Sequence, residues 1–87
     1  MKIVTTVKYD KKYKKLGIDL KNRVDSVLER FIKDPLDPSL FNHNLQGKLK
    51  GFKSIRAGFD LRIIFKEENG YVLVLLIDLG KYDDVYL

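Results

Sequence analysis

Between Asp19 and Lys33 the apolar residues Leu20, Val24, Val27, Leu28, Phe31 and Ile32 recur every three or four positions. That spacing puts them on one stripe of a helix. Asp19 is a candidate cap for its start, because its carboxylate can accept a bond from an otherwise unpaired early N–H. Asp34-Pro35 ends it, since the proline ring disfavours a helical residue before it. Upstream, Tyr9, Tyr13 and Leu16 also fall at helical spacing, with Asp10 as a candidate cap and Gly17 as a stop. A one- or two-residue turn between the two helices makes a hairpin. Before them, Ile3, Thr5 and Val7 alternate with Lys2, Val4 and Thr6, a short strand signal.

Beyond Pro38 the period changes. Pro38 to Gly51 is a connection with a helical turn at Ser39-Leu40-Phe41. Three strands follow, at Phe52–Arg56, Phe59–Lys66 and Tyr71–Leu79, and Asn69-Gly70 is a hairpin turn because both residues tolerate positive φ. The order strand, two helices, three strands predicts an α+β domain spanning residues 1–87. Its helix hairpin packs on one face of an antiparallel sheet and leaves the other face open.

Register decides what that open face carries. A three-residue loop at Ala57-Gly58-Phe59 pairs Arg56 with Asp60 and Ser54 with Arg62. It gathers Ile55, Leu61, Ile63 and Phe65 under the helices and leaves Ser54, Arg56, Asp60 and Arg62 outside. A two-residue loop would mix charged with apolar side chains, so the first register is preferred. The third strand is apolar on both faces, with Leu73, Leu75 and Ile77 interleaving Val72, Val74 and Leu76. Part of the open face is therefore expected to be covered, by a partner segment.

Composition narrows the chemistry. The chain has 87 residues, 45% hydrophobic and 33% charged, with no Cys and a single His. That excludes disulfides, thiolate chemistry and a His-rich metal site. No phosphate-cradling Gly-rich loop occurs, and so short a chain has little room for a deep pocket. Neither a signal peptide nor a membrane span is apparent, so the expected location is the cytoplasm. Seventeen Lys and Arg against twelve Asp and Glu leave a formal charge of +5, which favours a polyanionic partner such as nucleic acid.

Three segments resemble the RelE/ParE toxin superfamily. They are His43-Asn44-Leu45-Gln46-Gly47-Lys48-Leu49-Lys50-Gly51-Phe52-Lys53-Ser54-Ile55-Arg56, then Asp60-Leu61-Arg62-Ile63-Ile64-Phe65, then Leu79-Gly80-Lys81-Tyr82-Asp83-Asp84-Val85-Tyr86. The YafQ-like branch of RelE-type mRNA interferases is the nearest pattern. The resemblance implies the toxin of a type II toxin–antitoxin system, a ribosome-dependent endoribonuclease. Its partners would be a cognate antitoxin, in a hetero-oligomer, and the ribosome with its mRNA. No metal or cofactor is implied. His43 and Asp60 stand at positions where YafQ-like enzymes carry catalytic His and Asp, whereas Arg56 and Tyr82 replace two family histidines.

Metal-free RNA cleavage needs a proton acceptor for the 2′-OH, positive charge on the phosphorane and a proton for the 5′-oxygen. Arg56 and Arg62 suit the phosphorane, since a guanidinium matches phosphate oxygens with two donors. Asp60 would orient the nucleophile or hold Arg56, and His43 or Tyr82 would move protons. Lys48, Lys50, Lys53 and Lys81 would guide phosphates. For the Asp and Arg residues the bland alternative is a cross-strand ion pair. For His43 it is packing at the sheet edge, and for Tyr82 it is anchoring the tail. Two other functions share the fold: a ParE-like toxin that inhibits gyrase, and a decayed member that only binds its antitoxin.

Overall fold

The computed structural model describes residues 1–58 and 60–86. Phe59, expected at the head of the second strand, and Leu87 lie outside the described residues. The chain runs β1 (Lys2–Thr5), α1 (Val7–Lys14), α2 (Ile18–Lys33), β2 (His43–Asn44), β3 (Lys53–Arg56), β4 (Leu61–Glu68), β5 (Leu73–Lys81) and α3 (Tyr82–Tyr86), with 3₁₀ turns at Pro38–Leu40 and Gly47–Leu49. The expected α+β architecture is present. The strands form one sheet in the order β1-β5-β4-β3-β2. β3, β4 and β5 make the antiparallel meander, β2 adds an antiparallel edge, and β1 lies parallel to β5. A parallel neighbour requires a crossover connection, which here begins with the two helices.

Both helices start earlier than their sequence signals. Thr6 caps α1, its hydroxyl accepting from Tyr9 N at 3.1 Å, so Val7 is the first helical residue and Asp10 lies within the first turn. A β-region Thr, whose hydroxyl also donates to Ile77 O at 2.8 Å, satisfies an early N–H better than an Asp already inside the helix. Gly17 occupies the N-cap of α2, and Asp19 sits in its first turn, where a carboxylate favours the positive end of the helix dipole. Asp34 leaves helical geometry at φ −154°, as a residue before proline must.

The core lies between the helices and one sheet face. Val24, Val27 and Phe31 of α2 and Tyr9 of α1 meet Ile55, Ala57, Leu61, Ile63, Phe65, Val74, Leu76 and Leu79. The rings of Phe31, Phe65 and Tyr71 pack edge-on, with Phe31 5.0 Å from Phe65 and 5.9 Å from Tyr71. Fully burying each Phe contributes about 1.5–3 kcal/mol. Leu20 and Ile32, at the margins of the α2 stripe, remain exposed.

The β3–β4 register differs from expectation. Arg56 pairs with Arg62, Ser54 with Ile64 and Ile55 with Ile63. Ala57 N donates to Leu61 O at 2.9 Å, so the strand pairing reaches one residue beyond the expected start of the loop at Ala57. This shift adds Ala57, opposite Leu61, to the apolar residues buried under the helices. It moves the pairing sum by two residues, an even step, so every strand side chain keeps its expected face. Asp60 leaves the strand, and Gly58 takes the left-handed position at φ +118°.

β5 begins at Leu73, two residues later than expected. Asn69, Gly70 and Tyr71 all have positive φ, so Tyr71 and Val72 belong to the turn. Tyr71 is held there by its N–H donating to Glu67 Oε2 at 2.8 Å. Phe65 faces Leu76 and Ile64 faces Asp78, which leaves Ile77 as the extra residue of a bulge. Strand parity flips there, so Leu76 and Leu79 both reach the core. On the second face the chain partly covers itself: Leu45, Ile64 and Val85 are buried with Leu49, Phe52, Ile77 and Tyr86 around them. The upper part of that face, with Val4, Leu73 and Leu75 between Lys66 and Glu68, forms a shallow groove. No helix among the described residues is long and apolar enough to cross a membrane.

Candidate functional site

The second sheet face carries two rows of side chains. His43, Ser54, Ile64 and Asp78 lie across β2, β3, β4 and β5, and one pleat further on come Arg56, Arg62 and Gly80. The chain around these rows shapes an open groove of about 680 Å³. Phe41, His43, Gln46 and Lys48 line one side, Tyr82 and Tyr86 another, and Arg56 and Arg62 lie between.

Arg56 and Arg62 are direct cross-strand neighbours. Two like charges in that relation are ordinarily destabilising. Each is set beside an aromatic ring. The Arg56 guanidinium carbon is 4.2 Å from the Phe41 centroid, and that of Arg62 is 5.7 Å from Tyr82. Arg56 is exposed, whereas Arg62 is only 8% exposed and also donates to Leu61 O at 3.2 Å. Such contacts hold the planar donors in fixed directions.

His43 Nδ1 lies 2.8 Å from Phe41 O. A carbonyl oxygen can only accept, so Nδ1 carries the hydrogen and Nε2 is the nitrogen left to exchange a proton. Phe41 itself sits at φ +52°, ending the 3₁₀ turn, and this sharp reversal brings its ring beneath Arg56.

α3 closes the groove. It folds over Gly80, where an added Cβ would stand 3.4 Å from Val85 Cγ1. Tyr82 N donates to Asp60 O at 3.1 Å, tying the helix start to the β3–β4 loop. The Tyr82 and Tyr86 rings meet edge-on at 4.5 Å, and Tyr86 Oη donates to the wholly buried Ser54 Oγ at 2.6 Å. Ser54, Tyr86, Tyr82 and Arg62 thus form a chain of contacts from sheet to groove.

The structure brings together His43, Arg56, Arg62, Tyr82 and Lys48. It does not bring the other expected residues to the groove lining. Asp60 is exposed in the loop and reaches the site through its backbone carbonyl. The expected Arg56–Asp60 pairing is replaced by Arg56–Arg62, for the register reason above. Lys50 is exposed beyond the second 3₁₀ turn. Lys53 shares strand parity with Ile55, on the helix side, and its Nζ donates to Asn44 Oδ1. Lys81 lines a separate depression with Lys12, Lys15 and Leu16. Phe41 and Tyr86 are site residues that the sequence pattern does not single out. Their signals were an aromatic two residues before the lone His and another at the end of the tail.

No protein-family model matches the sequence, and neither does any curated protein. Solved structures do match. YafQ from E. coli strain BL21(DE3) superposes with a TM-score of 0.78 over 98% of this chain and 97% of that one, at 20% identity. The YoeB/ParE toxin from Agrobacterium tumefaciens gives 0.78 over 94% and 99%, at 15% identity. A metal-bound toxin from Helicobacter pylori gives 0.71 over 99% of both chains, at 25% identity. The chain therefore has the fold of the RelE/ParE toxin superfamily, with YafQ among its structural neighbours.

Proposed function

We propose that this protein is the toxin of a toxin–antitoxin pair and that it cleaves mRNA on the ribosome, in the cytoplasm. The observation that carries the proposal is the direct pairing of Arg56 with Arg62 in a groove also lined by His43 and Tyr82. Opposed guanidiniums make physical sense where a doubly charged phosphorane comes between them.

The reaction is an internal displacement. The 2′-oxygen forms a bond to phosphorus, the bond to the 5′-oxygen breaks, and a 2′,3′-cyclic phosphate and a 5′-hydroxyl result. His43 Nε2 accepts the 2′-OH proton, and Tyr82 Oη gives one to the departing 5′-oxygen. Arg56 and Arg62 stabilise the charge between. Asp60 acts through its carbonyl, which holds the start of α3 and so Tyr82. Lys48 steers the strand. An open groove orients RNA poorly by itself, so the ribosome supplies the remaining positioning.

The antitoxin partner is supported by two neighbours with the same fold, which occur as the E. coli DinJ-YafQ complex and the RelBE2 toxin–antitoxin complex of Mycobacterium tuberculosis. In this chain the apolar surface of exposed Val4 and half-buried Leu73 and Leu75 is suited to such a segment.

The test is cell-free translation with antitoxin-free protein, read by primer extension along the mRNA. Cuts within ribosome-bound message and none in free message are expected. Arrest of translation without cleavage, or an effect on DNA supercoiling instead, overturns the nuclease assignment.

A further inference from the structure

A second depression, of about 340 Å³, adjoins the groove and shares Phe41 and Arg56 with it. Its other lining residues are Arg23, Val27 and Arg30 of α2, with Ser39 and Gly58. Arg23, Val27 and Arg30 are four and three residues apart, on one helix face. Val27 is buried in the core, so the two arginines flank the line where α2 meets the sheet.

Both arginines are exposed and lie along the rim of this depression. Arg23 lies across Gly58: a Cβ at that position would stand 2.4 Å from Arg23 Cδ and 2.7 Å from Nη1. The loop glycine thus leaves room for the side chain to reach over the hairpin. Arg30 Nη1 donates to Ser39 Oγ at 3.1 Å, and Ser39 is fixed by donating to Asp37 Oδ1 from both N and Oγ, at 2.9 and 2.8 Å. The close ion pairs among the described residues are those of Lys8 and Lys12 with Asp78; Arg23 and Arg56 have no such carboxylate, and Arg30 meets Asp37 only at longer range, across Ser39. Three exposed guanidiniums round one concavity suit an anion.

The wall between the two depressions identifies which anion. Phe41 is 54% exposed and carries Arg56 against its ring. A flat ring between guanidinium clusters suits the alternation of base and phosphate along a single strand. An acidic helix would need a broad apolar stripe, and here only Val27 and the edge of Phe41 are apolar. We infer that the Arg23–Arg30–Arg56 depression is a second phosphate subsite. It holds the nucleotide beside the one at Arg56 and Arg62, with the strand crossing Phe41. The subsite rests on RNA occupying the main groove.

The test uses uncleavable 2′-O-methyl oligoribonucleotides of two and six nucleotides, 5′-labelled with fluorescein, and reads anisotropy. Wild-type protein should bind the longer one about tenfold more tightly, through added phosphate contacts. Arg23→Gln and Arg30→Gln, singly and together, should remove most of that gain and leave the dinucleotide unchanged. Lys11→Gln/Lys14→Gln, which removes the same charge elsewhere, should keep the gain. Circular dichroism and Tm check that each variant is folded, and either single variant suffices if the double is not. Equal weakening at both lengths, no weakening, or competition by hexaglutamate as strong as by the hexanucleotide overturns the subsite. If neither oligonucleotide binds, the RNA groove falls with it. If the wild type cuts ribosome-bound mRNA but shows no gain with length, only the subsite falls.

Discussion

Replacing Arg56 by alanine should separate activity from stability. Two unit charges at the spacing of directly opposed cross-strand side chains, about 5 Å, would repel by about 0.8 kcal/mol at the dielectric of water and about 3.3 kcal/mol at an effective value of 20. Arg56 is exposed, so solvent and salt hold the repulsion with Arg62 near the lower figure. Against this relief stands the lost contact with the Phe41 ring, worth about 0.5–1 kcal/mol at an exposed site. The two nearly cancel. Tm should stay within about 4 °C of wild type, since about 1 kcal/mol shifts a domain of this size by 4–8 °C. Cleavage should behave differently. Removing one preorganised donor from a developing phosphorane costs about 3 kcal/mol, or about a hundredfold in rate. Single-turnover cleavage of ribosome-bound mRNA, beside thermal unfolding of the same preparations, measures both. Added salt should stabilise the wild type more than the variant, because only the wild type has the repulsion to screen. A Tm drop of more than about 8 °C, or cleavage within about threefold of wild type, would refute the reasoning.

Other substitutions test other parts. Tyr86→Phe orphans the buried Ser54 hydroxyl and should cost about 1–3 kcal/mol in urea unfolding, whereas Tyr86→Phe with Ser54→Ala should recover much of it. Asp60→Ala keeps the carbonyl that accepts from Tyr82 N, so its cleavage rate should fall by less than about tenfold, well short of Arg56→Ala. Tyr9 Oη is buried with no hydrogen-bond partner among the described residues, and burial raises its pKa above the ordinary 10.0 of tyrosine. A raised folded value means stability intact below pH 10.0 and falling above it, as the unfolded chain releases the proton first. Tyr9→Phe should therefore be more stable by about 1 kcal/mol at neutral pH and should lose less stability in alkaline titration.

Side-chain faces were legible in the sequence because a strand has a period of two. The loop after Arg56 could slip by an even step without moving Ile55, Ile63 or Arg62 to the other side. The partner of each residue was not legible, since Ala57 is equally at home in a turn or under a helix. Asp60 was misassigned for that reason alone. β5 read as apolar on both faces because it is so before the bulge, with Val74 and Leu76 in the core and Leu73 and Leu75 on the second face, whereas the reversal at Ile77 was not legible because a bulge leaves no mark in composition. The parallel pairing of β1 and the five-residue helix α3 depend on tertiary contacts that local pattern does not encode. At the site, the charged and polar residues were visible by type. Phe41 became part of it only through a left-handed turn that aims its ring at Arg56.

The two sheet faces differ in how firmly they are closed. The helix side is sealed by a continuous core from Tyr9 to Leu79, whereas α3 is fastened by Val85, by the Tyr86–Ser54 bond and by one backbone bond to Asp60. Free energies of local opening follow such differences. The C-terminal turn can lift while the rest of the molecule stays folded, so its amides should exchange with solvent well before those of β4 and the inner half of β5. Tyr82, whose ring flanks Arg62, goes with it. On the proposed mechanism, the group that would give the leaving-group proton sits on this hinged piece, beside a pair of arginines fixed in the sheet, so a ligand that grips α3 would govern the chemistry without touching the sheet.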